Sequence, residues 1–461
     1  MSSPRLKWLR IHKYRNVVPG TFIEFNDGFN VLLGRNGTGK TTLLELIEML
    51  WSRGFGRIAD EAFHLECEAE FDTISVPVLD LDVQGFLLRA SVENVLLETA
   101  DGVRSPSAGS VSAGFSYRVA LMDSSGAEVL VVEGTPIGAS LTVREQSWPV
   151  AVLSVHSWPV LWSAPAQFSS QEHSLRESEQ EERCILNWAQ ECHFMISVNP
   201  LSGVRFDESL AAFHALTDIN YASNNRGVEG VRWELQRRLD SETKVYRPDA
   251  SEFPFTPSAL VRYCTDQLDR DVRREPAEFR VSHTILPWIE DFIQMTAYSG
   301  AWVNVRPDRT RRNEIVETLM YRTPDFRFVL PGERGEISAH DLSYGEKRLL
   351  SFLWYLACGD HIVIADELVN GFHHEWIERS IELIGGRQAF MASQNPLLLD
   401  SLPLGDLEYV RKCFITCRRG PETEGKMQWK NLSLEEAADF YDAYQRGTRY
   451  VHEILQGKGL W

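Results

Sequence analysis

Eight consecutive residues carry the strongest chemical signal in the chain. Gly34-Arg35-Asn36-Gly37-Thr38-Gly39-Lys40-Thr41 satisfies G-x-x-x-x-G-K-[ST]. Glycines at those spacings let backbone N–H groups curl around an anion, and a helix starting directly afterwards points its positive end at the same place. Asn36, Gly37, Gly39 and Thr42 would complete such a cradle. Lys40 would bridge the β- and γ-phosphates of a bound polyphosphate, and the Thr41 hydroxyl would ligate Mg²⁺. Far downstream, the apolar run His361-Ile362-Val363-Ile364-Ala365 ends in Asp366-Glu367. There the first carboxylate suits a hydrated Mg²⁺ and the second suits orienting or deprotonating an attacking water. Between them lies Leu342-Ser343-Tyr344-Gly345-Glu346. Ser343 and Glu346 have the spacing of a capping box, and a capped helix N-terminus with a small glycine is open to a phosphate supplied from elsewhere.

These groups need elements to hold them. Residues 6–11 and 21–25 alternate as half-buried strands do, and 29–33 is a continuous apolar run ending at Gly34. A helix is expected over 41–51, with Leu43, Leu44, Ile47 and Leu50 on one face. Runs at 76–83, 86–97, 117–122 and 129–132 predict an antiparallel sheet. Residues 226–246 place Val228, Val231, Leu235 and Leu239 at helical spacing, Thr256-Pro257 opens another helix, and 288–295 reads as a third. A helix through Cys358, a strand at 361–365, a helix carrying Ile377, Ile381 and Ile384, and a strand at 388–392 follow. The pair 409–417 and 427–430 is expected to form a hairpin, and Ser433 with Glu436 to cap the C-terminal helices. No sustained heptad and no internal repeat is present.

The three motifs in this order resemble an ABC-class P-loop ATPase head. The fold class implied is α/β: an ABC-type head with an antiparallel β subdomain and a helical insertion. Its parts are 1–160 (P-loop lobe with the β subdomain), 161–335 (mainly helical insertion) and 336–461 (signature and Asp-Glu lobe). In that class ATP is sandwiched between two subunits. The resemblance therefore gives Ser343, Gly345 and Glu346 to the partner's nucleotide, Asp366 to Mg²⁺ and Glu367 to the hydrolytic base. Asn370-Gly371-Phe372-His373-His374 resembles a loop of the OLD/RecF/SMC-like branch. Tyr14-Arg15-Asn16 resembles the element by which that branch brings an arginine, here Arg15, to the nucleotide. The position normally held by a switch histidine is Gln394, in Ser393-Gln394-Asn395-Pro396. An amide can bond a γ-phosphate but cannot carry a proton, so sensing is retained and turnover slowed. Gln84 and Gln167 are candidates for a further nucleotide-contacting glutamine, with an ordinary surface role the plainer reading.

The chain of 461 residues has 47 Lys+Arg against 65 Asp+Glu, a net charge of −18. That balance disfavours direct binding to nucleic-acid phosphate, leaving any such contact weak or indirect. Arg306, Arg309, Arg311 and Arg312 are the one dense basic cluster, read as a solvated loop or a contact for an acidic partner or phosphate backbone. Lys347 and Arg348 are read as helix-surface charges, and the acidic stretch 172–183 as a solvated segment. Adjacent His373-His374 completes no metal set, so no metal besides Mg²⁺ is expected. Seven scattered cysteines and a charged start without an apolar h-region predict a cytoplasmic protein. No membrane span is expected, because the apolar run at 150–162 is broken by His156 and Pro159.

The expected cofactors are ATP and Mg²⁺, and the expected assembly is a homo-oligomer, at least an ATP-dependent dimer. Residues 401–461 read as a hairpin and helices with no acidic metal constellation, so a nuclease is expected in a separate effector protein. The layout resembles stand-alone anti-phage defence ATPases of the Septu and PARIS type, where the ATPase serves as sensor or scaffold. The alternative is a RecF/SMC-like DNA-repair ATPase that binds DNA directly. A transporter ATPase is opposed by the long insertion.

Overall fold

The computed structural model describes residues 5–50, 55–76, 81–95, 98–99, 102–103, 115–135, 138–143, 146–150, 233–238, 246–248, 257–270, 278–312, 316–321, 324–332, 335–358, 362–447 and 449–460. The chain forms two compact units. One holds Met1–Val204, His361–Leu368 and Ile381–Trp461, and the other holds Arg205–Asp360 and Val369–Ser380.

In the first unit, β1 (Arg5–Tyr14) buries Leu6, Leu9, Ile11 and Tyr14. That spacing is not a strict period of two. Irregularities after Leu6 and after Ile11 each insert a residue and return the apolar side chains to the core. β2 (Thr21–Glu24) pairs with one edge of β1. β3 (Phe29–Leu33) is buried on both faces, as a central parallel strand must be, and runs into the loop before α1 (Lys40–Glu48). β4 (Phe63–Val76) and β5 (Leu81–Asn94) form a long hairpin. The expected strand at 76–83 is therefore the junction between them, with 77–80 outside the described residues. After the two-residue pair β6 (Glu98–Thr99) and β7 (Gly102–Val103) come β8 (Phe115–Met122), β9 (Glu128–Thr135), β10 (Gly138–Val143) and β11 (Gln146–Val150). The result is an antiparallel sheet ordered β11-β10-β9-β8-β5-β4-β1-β2.

The second unit departs from the helical expectation. Residues expected as a helix over 226–246 hold instead β12 (Trp233–Arg238), and β13 begins at the end of that range (Tyr246–Pro248). Pairing of β12 with two antiparallel neighbours outweighs the local helical periodicity. α2 (Ser258–Arg270) starts behind Pro257 as its proline signals. Next come β14 (Phe279–Ser282), α3 (Pro287–Met295), β15 (Gly300–Val305), β16 (Pro307–Arg312), β17 (Val316–Tyr321), β18 (Asp325–Val329), β19 (Glu336–Ser338) and α4 (Tyr344–Cys358). Two antiparallel sheets result, ordered β13-β12-β17-β16 and β14-β15-β18-β19. The core here is aromatic: the Trp288 ring of α3 meets Trp354 of α4 edge-on at 5.2 Å and Phe326 of β18 at 5.9 Å.

The chain continues with β20 (Ile362–Asp366) in the first unit and α5 (His374–Ile384), most of which belongs to the second, and then completes the first unit with β21 (Gln388–Ala392), α6 (Pro396–Asp400), α7 (Leu407–Cys413), β22 (Phe414–Arg418), β23 (Gln428–Asn431), α8 (Leu434–Gln445) and α9 (Val451–Gly457). Residues 407–413, expected to begin a hairpin strand, form α7. Asp406 caps this helix by accepting from the Tyr409 N–H at 2.8 Å, and Glu408 pairs with Arg411 and Lys412 along it. Only β22 and β23 pair as a hairpin. The five-stranded sheet is ordered β20-β21-β3-β22-β23, with the first four strands parallel. Buried Gln388 fastens it to β1, exchanging hydrogen bonds with the Leu6 backbone at 2.7 and 2.8 Å.

Candidate functional site

The phosphate-loop sequence leaves the carboxyl end of β3 and turns into α1, which is the strand–loop–helix context such a loop requires. Gly34, Gly37 and Gly39 all have positive φ. Gly37 has open space around it, so only its backbone conformation needs glycine. Gly39 needs it twice: its φ is 89°, and a Cβ there would collide with the Met427 sulfur. The Lys40 ammonium lies over the loop and donates to the carbonyls of Gly34 at 2.8 Å and Arg35 at 3.2 Å. The positive-φ glycines, the open space at Gly37, the Lys40 ammonium and the start of α1 fit a polyphosphate.

Parallel pairing brings the Asp-Glu end of β20 to the same edge of the sheet. The Thr41 hydroxyl donates to Asp366 Oδ2 at 2.6 Å across 325 residues of sequence. An alcohol and a carboxylate at hydrogen-bond distance form the oxygen donor set that a hard divalent cation takes. Glu367 has φ of 51°, a conformation that costs a non-glycine residue about 1–2 kcal/mol. Its N–H donates to the Ala392 carbonyl at 2.8 Å, which fixes the turn that carries the side chain. Strained, half-exposed acids at a strand end are characteristic of functional positions. Gln394, two residues past β21, donates through its amide to Asn36 Oδ1 at 2.6 Å, so this side chain touches the phosphate loop directly. Thr42 follows in the first turn of α1.

Arg15 also belongs to this unit. With φ of 40°, it turns a guanidinium fork onto Glu61 at 2.7 and 2.8 Å, stays 3.7 Å from Glu45 of α1, and lies over the Tyr14 ring. The Glu61 hydrogen bonds push its pKa above the usual arginine range.

The second unit carries the Leu342–Glu346 motif at the start of α4. Ser343 and Glu346 form the expected reciprocal cap: the Ser343 N–H donates to Glu346 Oε2 at 2.8 Å, and the Glu346 N–H donates to Ser343 Oγ at 3.3 Å. The other Glu346 oxygen accepts the Tyr298 hydroxyl at 3.0 Å. Burial, followed by that hydrogen bond, raises the Tyr298 pKa. Ser343 and Tyr344 are exposed at the helix start, and a Cβ on Gly345 would come 2.5 Å from the Gly371 carbonyl. Arg348, expected on the helix surface, is buried at 7 % exposure, because α4 turns that face inward.

Other expectations resolve as follows. Arg306 is exposed and pairs with Glu278, and Arg309, Arg311 and Arg312 lie on strand β16 rather than in a loop. His373 packs against Trp376, and His374 sits 3.7 Å from Glu378, so the two histidines face separate neighbours. Gln84 pairs with Thr73 in the β4–β5 hairpin, while Gln167 and residues 172–183 lie outside the described residues. Sequence reasoning anticipated the C-terminal hairpin but missed its contact with the phosphate loop. Trp429 Nε1 donates to the Thr38 carbonyl at 3.2 Å, and a Cβ on Gly34 would strike the Cys417 carbonyl. A tryptophan in an ordinary strand gives no sequence sign that it braces a loop 391 residues away. Among the described residues, no helix is long and apolar enough to cross a membrane.

Residues 195–400 match the family model described as AAA domain, putative AbiEii toxin, Type IV TA system, and residues 9–62 match a model described as AAA domain. A comparison with curated proteins finds no match. Among solved structures, the chain is similar to the SMC head domain from Thermotoga maritima (12% identity, 93% of this chain and 99% of that one, TM-score 0.34). It is also similar to an SmcHead bound to the C-winged helix domain of ScpA (10%, 94% and 99%, TM-score 0.38). A third is an Smc head domain with an extended coiled coil bound to the C-terminal domain of ScpA, derived from Pyrococcus furiosus (11%, 96% and 100%, TM-score 0.35). The fold rests on the strand order around β3. That order, the geometry of the loop and the two family models support a P-loop ATPase, a class whose nucleotide is held with a divalent metal.

Proposed function

We propose that the chain binds and hydrolyses ATP with Mg²⁺, assembles at least into a dimer around the nucleotide, and serves as sensor or scaffold for a separate effector, a nuclease, in prokaryotic anti-phage defence. The observation that carries the nucleotide part is the 2.6 Å contact of Thr41 with Asp366 beneath the loop that Lys40 covers. When bound, Mg²⁺ supplies charge neutralisation between the phosphates. Thr41 and Asp366 hold it, Lys40 and the loop N–H groups orient the phosphates, and Glu367 accepts the proton of the attacking water. Gln394 reports on the γ-phosphate through its amide and returns no proton.

Assembly is supported by the exposed, capped start of α4, where Ser343 and Gly345 offer an anion site to a second copy. A role in defence is supported by the toxin–antitoxin description of the family matching residues 195–400. The −18 net charge favours action through a protein partner over direct DNA binding.

The test is the mass of the purified particle with and without ATP, read by light scattering. Glu367→Gln should trap ATP and at least double the mass, and Lys40→Ala should abolish both effects. A Glu367→Gln protein that binds ATP at unchanged mass would refute the sandwich. Tight DNA binding by the protein alone at ~150 mM salt would replace the partner-dependent role with the DNA-repair one.

A further inference from the structure

Away from the phosphate loop, the outer face of the eight-stranded sheet gathers two imidazoles and a carboxylate. His12 comes from β1 and His64 and Glu66 come from β4, and one ligand atom from each lies within 4.8 Å of the other two. The two rings stack at 4.3 Å with 26° between their planes. His12 Nε2 is 3.2 Å from Glu66 Oε2, yet this nitrogen is shielded from solvent and makes no hydrogen bond. A polar atom so placed costs stability unless something satisfies it.

The backbone accounts for how the three meet. Ile11 pairs with Leu65 and Lys13 with His64, so His12 is the extra residue of a bulge. Bulges re-aim side chains and recur beside functional sites. On the third strand, Glu93 stands opposite His64 and Ser91 opposite Glu66, adding a second carboxylate to the same face.

We propose that His12, His64 and Glu66 bind a borderline divalent transition metal, with Zn²⁺ the ion of choice. Two imidazoles and one carboxylate form an N₂O set that Zn²⁺ takes in tetrahedral sites with one position left open. Ligand atoms on one such ion lie about 3.3–3.5 Å apart, given metal–ligand bonds of about 2.0–2.1 Å. Each imidazole binds a metal in its own plane, so the two rings, now stacked with 26° between their planes, must turn out of the stack to share one ion, and both side chains that flank it, His12 and Glu66, are half-exposed. The fourth position goes to water or to Glu93. Mg²⁺ does not suit the site, because it prefers an all-oxygen octahedron. An ion here staples β1 to β4 just before Arg15, which Glu61 holds from the turn preceding β4.

The site escapes a reading of the sequence because its histidines lie on different strands and only the bulge brings them together. It is independent of the nucleotide reading, since it uses none of the same residues.

The experiment uses the full chain, stripped with a chelator and kept free of Mg²⁺. Zn²⁺ is titrated by calorimetry and Co²⁺ by visible absorption. One equivalent of Zn²⁺ should bind, and Co²⁺ should give the d–d bands of a tetrahedral nitrogen and oxygen site without a thiolate charge-transfer band. His12→Gln combined with His64→Gln should weaken Zn²⁺ at least ~100-fold, and the isosteric Glu66→Gln about tenfold or more, ligand loss being at least as damaging as loss of an outer-shell partner. Asp366→Asn should leave the zinc isotherm unchanged. If the double histidine variant does not fold, Glu66→Gln alone decides. The proposal is overturned by no stoichiometric uptake, by an isotherm that Glu66→Gln leaves unmoved, or by a thiolate band assigning the metal to cysteine.

Discussion

Gly345 sits in the first turn of α4, and two rules of physical chemistry disagree about replacing it. Helix propensity alone says that Gly345→Ala stabilises, by up to about 1 kcal/mol. The surroundings say the opposite. The new Cβ would lie 2.5 Å from the Gly371 carbonyl oxygen, closer than Cβ atoms approach oxygen in folded proteins, and 3.4 Å from the Trp376 ring. The carbonyl cannot retreat easily, because Gly371 has φ of 85° and a Cβ position only 3.0 Å from the Tyr344 ring. Overpacking against fixed backbone costs about 1–3 kcal/mol, and here the upper half of that range applies. Subtracting the helix gain leaves a net loss of about 1–2 kcal/mol, a factor of roughly 5–30 in the folded-to-unfolded ratio. The matched control is Gly386→Ala, where φ is not positive and no atom lies within 4 Å. There the smaller unfolded-state entropy should stabilise by about 0.4–1 kcal/mol. Urea unfolding followed by tryptophan fluorescence reads both variants. A Gly345→Ala midpoint at or above wild type would refute the packing of the signature turn on residue 371.

Two further outcomes are expected. Trp429→Phe keeps an aromatic side chain but removes the indole N–H donor to the Thr38 carbonyl, so affinity for a fluorescent ATP analogue should fall about 2- to 12-fold, the equivalent of about 0.5–1.5 kcal/mol; unchanged affinity would mean the hairpin does not brace the loop. The pH dependence rests on buried thiols: burial pushes Cys67 and Cys417 up to about 12, with Lys40 opposing the rise at Cys417. Because both folded values lie above the unfolded 9.0, their contribution is complete below pH 9 and is lost as pH climbs through 9 towards 12. Iodoacetamide at pH 8 should therefore leave Cys67 and Cys417 unmodified in the native chain and label both in urea, and native labelling seen by mass spectrometry would contradict their burial.

The legible parts of this chain are those whose physics is local. The cap of Ser343 and Glu346, the cap of Ser433 and Glu436, the proline before α2 and the largely apolar β3 each announce themselves within a few residues, and each forms as expected. The phosphate loop is legible for the same reason, since its glycines need positive φ wherever they occur. Failure begins where partners are distant. Val228, Val231, Leu235 and Leu239 keep helical spacing, but β17 offers the 233–238 stretch a ladder, and the ladder prevails. Tyr409 reads as strand-forming, yet Asp406 and the Glu408–Arg411 pair commit it to a helix. His12 gives no sign at all, because only the bulge places it beside His64.

The same distinction explains how a phosphate site can tolerate so much chain between its halves. Thr41 meets Asp366 across 325 residues, and Trp429 meets Thr38 across 391. Loop-closure entropy grows only logarithmically, so each doubling of the intervening chain adds about 0.6 kcal/mol. Four doublings, from some twenty residues to more than three hundred, thus add only about 2.4 kcal/mol. That is the scale of two or three good hydrogen bonds. The contacts that close the site are more numerous than that. Met427 alone donates to the Asn16 carbonyl at 2.7 Å and accepts from the Val18 N–H at 2.9 Å, and Gln388 adds its bonds to Leu6. An intervening segment that folds as its own unit costs less still, because an ordered segment with near ends acts as a short link. The described strands of Arg205–Asp360 pair among themselves in two sheets. Insertion between the phosphate loop and its acidic partners is therefore thermodynamically cheap.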